Sequence, residues 1–103
     1  MSNIDDYVTY SVYEYYMVSA KDTLVKKATA EKDLTLFIKG LEKHLNELGL
    51  EPKIKGYQKV TNLVPRFLVL CEEDVIPHIK EYEGIVSIIK EESMGGRVER
   101  AKQ

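Results

Sequence analysis

A chain of 103 residues is long enough for one hydrophobic core and too short for two independent ones. With 44% hydrophobic and 31% charged residues it lies well above the apolar content of a disordered chain. Fifteen basic residues against 17 acidic leave a net charge of −2, so a polyanion-binding surface spread over the whole molecule is excluded and any nucleic-acid site has to be local. A single cysteine, Cys71, excludes an internal disulfide framework and fits a reducing compartment. The opening "MSNIDDYVTY" is acidic and lacks the apolar run of an export signal. No other stretch approaches the roughly 20 apolar residues that span a bilayer, so the expectation is a cytoplasmic protein without a membrane partner.

In chain order, "YVTYSVYEYYMV" from Tyr7 to Val18 is dense in valine and tyrosine with partial alternation, which predicts a first, half-buried strand. Tyr16 and Val18 fall on one side of it, and Tyr7, Tyr13, Tyr15 and Met17 on the other. Residues 19–32 are ambiguous between a loop and a preliminary helical turn, with Leu24 and Val25 as their apolar anchors. Leu34, Phe37, Ile38, Leu41, Leu45 and Leu48 then recur at helical spacing, with Thr29 or Asp33 as candidate cap and Gly49 as the stop. Gly40 inside that helix costs about 1 kcal/mol relative to alanine, and close packing on a sheet is the expected reason for it.

"KIKGYQKV", residues 53–60, alternates with Lys53, Lys55, Tyr57 and Lys59 on one side, which predicts a second strand. "RFLVLC" is too short for a helix and rich in strand formers, and it is expected to return as the third strand of a hairpin. Asp74 is the expected cap of a second helix that has Pro77 in its first turn and Gly84 as its stop. "IVSIIKEE" supplies the fourth strand, and "SMGGRVERAKQ" reads as a mobile tail. The expected architecture is α+β: one domain over residues 1–92, βαββαβ, a ferredoxin-like two-layer sandwich with a four-stranded antiparallel sheet. Right-handed crossovers place both helices on one side of it, and residues 93–103 follow as a flexible C-terminal tail.

From Leu41 to Glu92 the pattern resembles the subtilisin-propeptide and protease-inhibitor family. The resemblance is carried by a helix ending near Leu48, the hairpin Lys53 to Cys71, the acidic helix Glu72 to Glu83 and the valine-bearing last strand Ile85 to Glu92. It covers about half the chain. It implies a ferredoxin-like domain whose open sheet face presses on a protease, with Glu91 to Gln103 as a tail laid into the active cleft.

The chemistry-bearing residues point away from catalysis. Cys71 is followed by Glu72, Glu73 and Asp74, whose charges oppose a thiolate, so a buried structural cysteine is expected rather than a nucleophile. His44 and His78 lie on different helices without ligand spacing, and no phosphate-binding, dinucleotide or zinc motif is present. The expectation is a non-enzymatic domain with no cofactor, no metal and no catalytic residue. Tyr7, Tyr13, Tyr15 and Tyr57 are the candidate partner-binding residues, because seven tyrosines exceed what one small core requires and tyrosine concentrates at protein interfaces. The simplest form of that reading is a homodimer. The alternative is a small nucleic-acid-binding protein in which Lys53, Lys55, Lys59, Arg97, Arg100 and Lys102 touch phosphates while Tyr57 stacks on a base. Against it, lysines on a border strand also serve to discourage strand pairing.

Overall fold

A computed structural model describes residues 12–91. Its main elements are β1 (Glu14–Ala20), α1 (Ala30–Glu47), β2 (Ile54–Val60), β3 (Arg66–Cys71), α2 (Ile76–Lys80) and β4 (Ile85–Lys90), with 3-10 turns leading into α1, β2 and α2. The βαββαβ order is therefore present. The four strands make one antiparallel sheet in the order β2-β3-β1-β4, which leaves β1 and β3 central and β2 and β4 as borders. The beginning of the expected first strand, Tyr7 to Ser11, and the expected tail, 93–103, lie outside the described residues.

Alternation along the central strands divides their side chains between two layers. Tyr16 and Val18 of β1 lie opposite Val69 and Phe67 of β3, and all four are buried with Cys71 against Leu34, Leu41 and Leu45 of α1. Val75 and Ile79, from the turn before α2 and from α2 itself, complete the same cluster. Both helices thus cover one side of the sheet, as a two-layer fold requires. Val25 joins this core from the connection after β1, while Leu24 stays largely exposed.

Local chemistry explains the ends of the elements. At the end of α1 the Gly49 amide donates to the Asn46 carbonyl at 2.9 Å and the Leu50 amide to the Leu45 carbonyl at 3.0 Å. Gly49 adopts φ +79°, the left-handed conformation that this pair of bonds demands and that glycine tolerates best. At the start of α1, Thr29 holds the cap position but makes no side-chain capping bond. Its hydroxyl donates instead to the Asp33 carboxylate, which also accepts the Lys26 backbone N–H at 3.0 Å and so ties the preceding turn to the helix. The Thr29 bond first, and the Lys26 bond next, hold the Asp33 carboxyl below its ordinary range.

Two expectations need correction here. Asp74 does not cap the second helix: it sits inside the turn Glu73–Val75 and its carboxylate pairs with the Lys53 ammonium. Pro77 does fall in the first turn of α2. Gly40 is needed for close packing, but its neighbour is Tyr82 in the connection between α2 and β4, not the sheet. A methyl group at position 40 would overlap the Tyr82 hydroxyl.

The uncovered sheet face

The side of the sheet turned away from the helices is assembled from the alternate residues of the same strands. One row crosses all four strands as Gln58, Leu68, Met17 and Ile89, and a second crosses three as Gly56, Leu70 and Tyr15. Leu68, at the centre, is buried by its neighbours, whereas Ile89 on the border strand is 61% exposed. Beside Gly56, which has no side chain, a shallow depression of about 170 Å³ opens, edged by Tyr15, Lys55, Tyr57, Gln58, Leu68 and Leu70. The face thus has an apolar centre with one aromatic ring beside it and a polar rim.

The four candidate tyrosines do not gather here. Tyr7 lies outside the described residues. Tyr15 is on the open face and half-buried, with Leu70 opposite it. Tyr13, two residues earlier on β1's line, is buried within the chain: the Lys55 ammonium lies 4.9 Å from its ring centre and its hydroxyl reaches the Pro52 carbonyl at 3.5 Å. Tyr57 points to the helix layer, its ring 6.4 Å from that of Phe67 and its hydroxyl buried without a hydrogen-bond partner. Burial first, and the Glu42 charge next, raise the Tyr57 hydroxyl above its ordinary range.

A bulge accounts for the placement of Tyr57 and for the scattering of the lysines. Ile54 is opposite Cys71 and Gly56 is opposite Leu70, so Lys55 is an extra residue in β2 and the alternation reverses across it. Lys59 consequently reaches the helix layer, where it pairs with Glu31 and donates to the Thr35 hydroxyl at 2.9 Å. Lys53 precedes the strand and is held by Asp74, whose hydrogen bond raises the ammonium above its ordinary pKa range. Lys55 lies over Tyr13. The three lysines therefore form no common row with Tyr57, and two of them are already neutralised by carboxylates. Arg97, Arg100 and Lys102 lie outside the described residues.

The remaining candidates are buried or acidic. Cys71 is fully buried, and its thiol is pushed up to about 12, by burial first and then by the charges of Asp74, Glu72 and Glu14. His44 packs its ring 5.3 Å from that of Tyr82, and its Nε2 is buried without a partner. A cleft of about 670 Å³ at one end of the sheet is lined by Val12, Tyr16, Glu72, Glu73, Asp74, Ile76 and Pro77. Beside it the Tyr16 hydroxyl donates to Glu14 Oε1 at 3.2 Å, and burial together with that carboxylate raises its pKa. Among the described residues no three His, Cys, Asp or Glu side chains are grouped to hold a metal, and no helix is long and apolar enough to cross a membrane.

Met17, Leu68, Leu70 and Ile89, the apolar body of the open face, were not singled out as site residues by sequence reasoning. Their signal was available: in "RFLVLC" every residue after the arginine is apolar, so both sides of that strand had to be apolar. Comparisons with protein-family models, with curated proteins and with solved structures match nothing.

Proposed function

We propose that the chain is a non-enzymatic protein-binding domain that receives its partner on the open sheet face. The observation that carries this reading is the pair of rows across the sheet, Gln58–Leu68–Met17–Ile89 and Gly56–Leu70–Tyr15, on the side that neither helix covers. Covering apolar surface is favourable by about 25 cal/mol per Å², so a partner that buries these rows gains free energy without any change in the domain's own core. Within this reading, the resemblance of residues 41–92 to propeptide-type inhibitors nominates a subtilisin-class serine protease as the partner.

The test uses immobilised full-length chain presented with inactivated subtilisin-class proteases and, separately, with RNA at low salt. Retention of a protease that the double variant Tyr15→Ser, Met17→Glu weakens by about tenfold, without a change in the domain's circular dichroism, is the expected result. Failure to bind any protease removes the inhibitor version. A complex indifferent to both substitutions removes the open face as its site. RNA retention that falls steeply with salt would favour the nucleic-acid alternative. The pairing of Lys53 and Lys59 with carboxylates counts against that alternative, because each phosphate contact would first have to break an ion pair.

A further inference from the structure

We infer that the chain pairs with a second copy of itself along the outer edge of β4, joining two four-stranded sheets into one of eight strands. The inference stands on the sheet borders and does not depend on what the open face binds.

The two borders are built differently. Both are bulged, β2 at Lys55 and β4 at Val86, but β2 adds lysines at 53, 55 and 59 along or beside the strand, of which Lys53 and Lys59 are paired with carboxylates and Lys55 lies over the Tyr13 ring. β4 has the sequence "IVSIIK", with one charge, and that charge is engaged, Lys90 Nζ lying 3.1 Å from Glu14 Oε2. Its apolar residues Val86 and Ile89 are 62% and 61% exposed.

Among the described residues, the backbone groups that β4 turns away from the sheet follow from its register with β1. The Glu91 amide donates to the Tyr15 carbonyl at 2.8 Å, and Tyr16 lies opposite Lys90. Hydrogen-bonded and non-bonded pairs alternate in an antiparallel ladder, so Ile89 also turns its amide and carbonyl toward β1, while Ile88 and Lys90 turn theirs outward. An edge of unpaired donors and acceptors bordered by apolar side chains is a template for another strand.

A second copy fits that template better than an arbitrary strand because β4 is complementary to itself about a two-fold axis. With Ile89 of one copy facing Ile89 of the other, the outward groups of Ile88 meet those of Lys90 in both directions, and the two exposed Ile89 side chains meet each other. No like charges are opposed in this register. Shifting the axis to Lys90 would set two lysines face to face, which is unfavourable. The row Gln58–Leu68–Met17–Ile89 would then run on into the same row of the second copy, doubling the length of the open face.

Sedimentation velocity of the purified full chain over a range of concentrations reads the association. A dimer is expected. Lys90→Pro removes an outward amide without taking a hydrogen bond from β1, and is expected to weaken the dimer by about tenfold or more. Lys90→Ala, which loses the Glu14 ion pair but keeps the amide, is expected to dimerise as the parent does. Ile89→Cys is expected to form a disulfide-linked dimer under mild oxidation, since facing residues in a non-bonded pair have Cα atoms about 4.5 Å apart. Cys71, fully buried, does not compete. A chain that remains monomeric at its highest soluble concentration overturns the inference. So does a dimer that Lys90→Pro leaves intact and Ile89→Cys does not link. If that dimer is instead lost in Tyr15→Ser, Met17→Glu, the contact is face to face, and the reading of the open face survives while the edge pairing does not.

Discussion

Phe67 and Leu68 are neighbours on β3, yet one looks into the helix layer and the other away from it. On the helix side, Phe67 joins Tyr16, Val18, Val69 and Cys71, all buried and all in contact with a covering element. On the other side, burial falls off quickly from Leu68 through half-buried Tyr15 and Met17 to exposed Ile89. One strand sequence therefore supplies both the interior that holds the fold and a surface that the described residues leave only partly covered. The difference is one of layers, since residue type is similar on the two sides.

The sharpest way to break this comparison is to truncate one residue from each side. Phe67→Ala removes a fully buried ring between α1 and β2, and urea unfolding should show a loss of about 3–5 kcal/mol. Tyr15→Ser should cost no more than about 1 kcal/mol in the same measurement. Comparable losses would mean that the open side is a second core and not a contact surface.

A smaller effect is expected at Gly40, where the helix layer meets the chain that follows α2. Alanine there gains about 1 kcal/mol of helix propensity but forces its methyl into the Tyr82 hydroxyl, a kind of overpacking that costs about 1–3 kcal/mol. Gly40→Ala alone should therefore be neutral to destabilising in thermal melts. In a Tyr82→Phe background, where the obstructing oxygen is gone, the same substitution should stabilise, and a double-mutant cycle isolates the contact.

The smallest expected effect concerns Cys71. Its thiol is raised from 9.0 to about 12, so its contribution to stability is complete below pH 9.0 and is lost as pH rises from there toward 12. A thiol reagent at pH 8 should leave the native chain unmodified and label it after addition of denaturant. Cys71→Ala should flatten the alkaline part of the stability profile. Rapid native labelling would show that the helix side is less sealed than its burial implies.

Much of this layering was legible in the chain. The helical spacing from Leu34 to Leu48, the glycine at 49 and the run "RFLVLC" each correspond to an observed element, because each combines a clear period with a matching stop signal. Gly84 does adopt a positive φ, +100°, but in the turn before β4: α2 covers only Ile76–Lys80 with Glu81 as its cap, so the expected helix from Glu72 to Glu83 is shorter and Gly84 is not its stop. What was not legible is the sense of β2. Strict alternation places Tyr57 with Lys53, Lys55 and Lys59, but the bulge at Lys55 reverses the strand partway along. Gly56 was the available hint, since an isolated glycine within a strand often marks such a kink. Nor could the sequence reveal that Asp74 would find Lys53, a partner 21 positions away, before any helix amide. Local propensity ranks Asp74 as a cap, and tertiary contact decides otherwise. The open face follows from the architecture, but its members Leu68 and Leu70 do not, because a strand that is apolar on both sides has no alternation to tell the outward residues from the inward ones.

The position of β1 in the middle of the sheet has a consequence for how the chain is made. Its two neighbours, β3 and β4, are both supplied by the later half of the chain. While a ribosome is still adding residues 85–90, β1 has at most one neighbour, and its other side offers bare backbone to any extended segment nearby. During synthesis that side is the vulnerable one, until the arrival of β4 closes it.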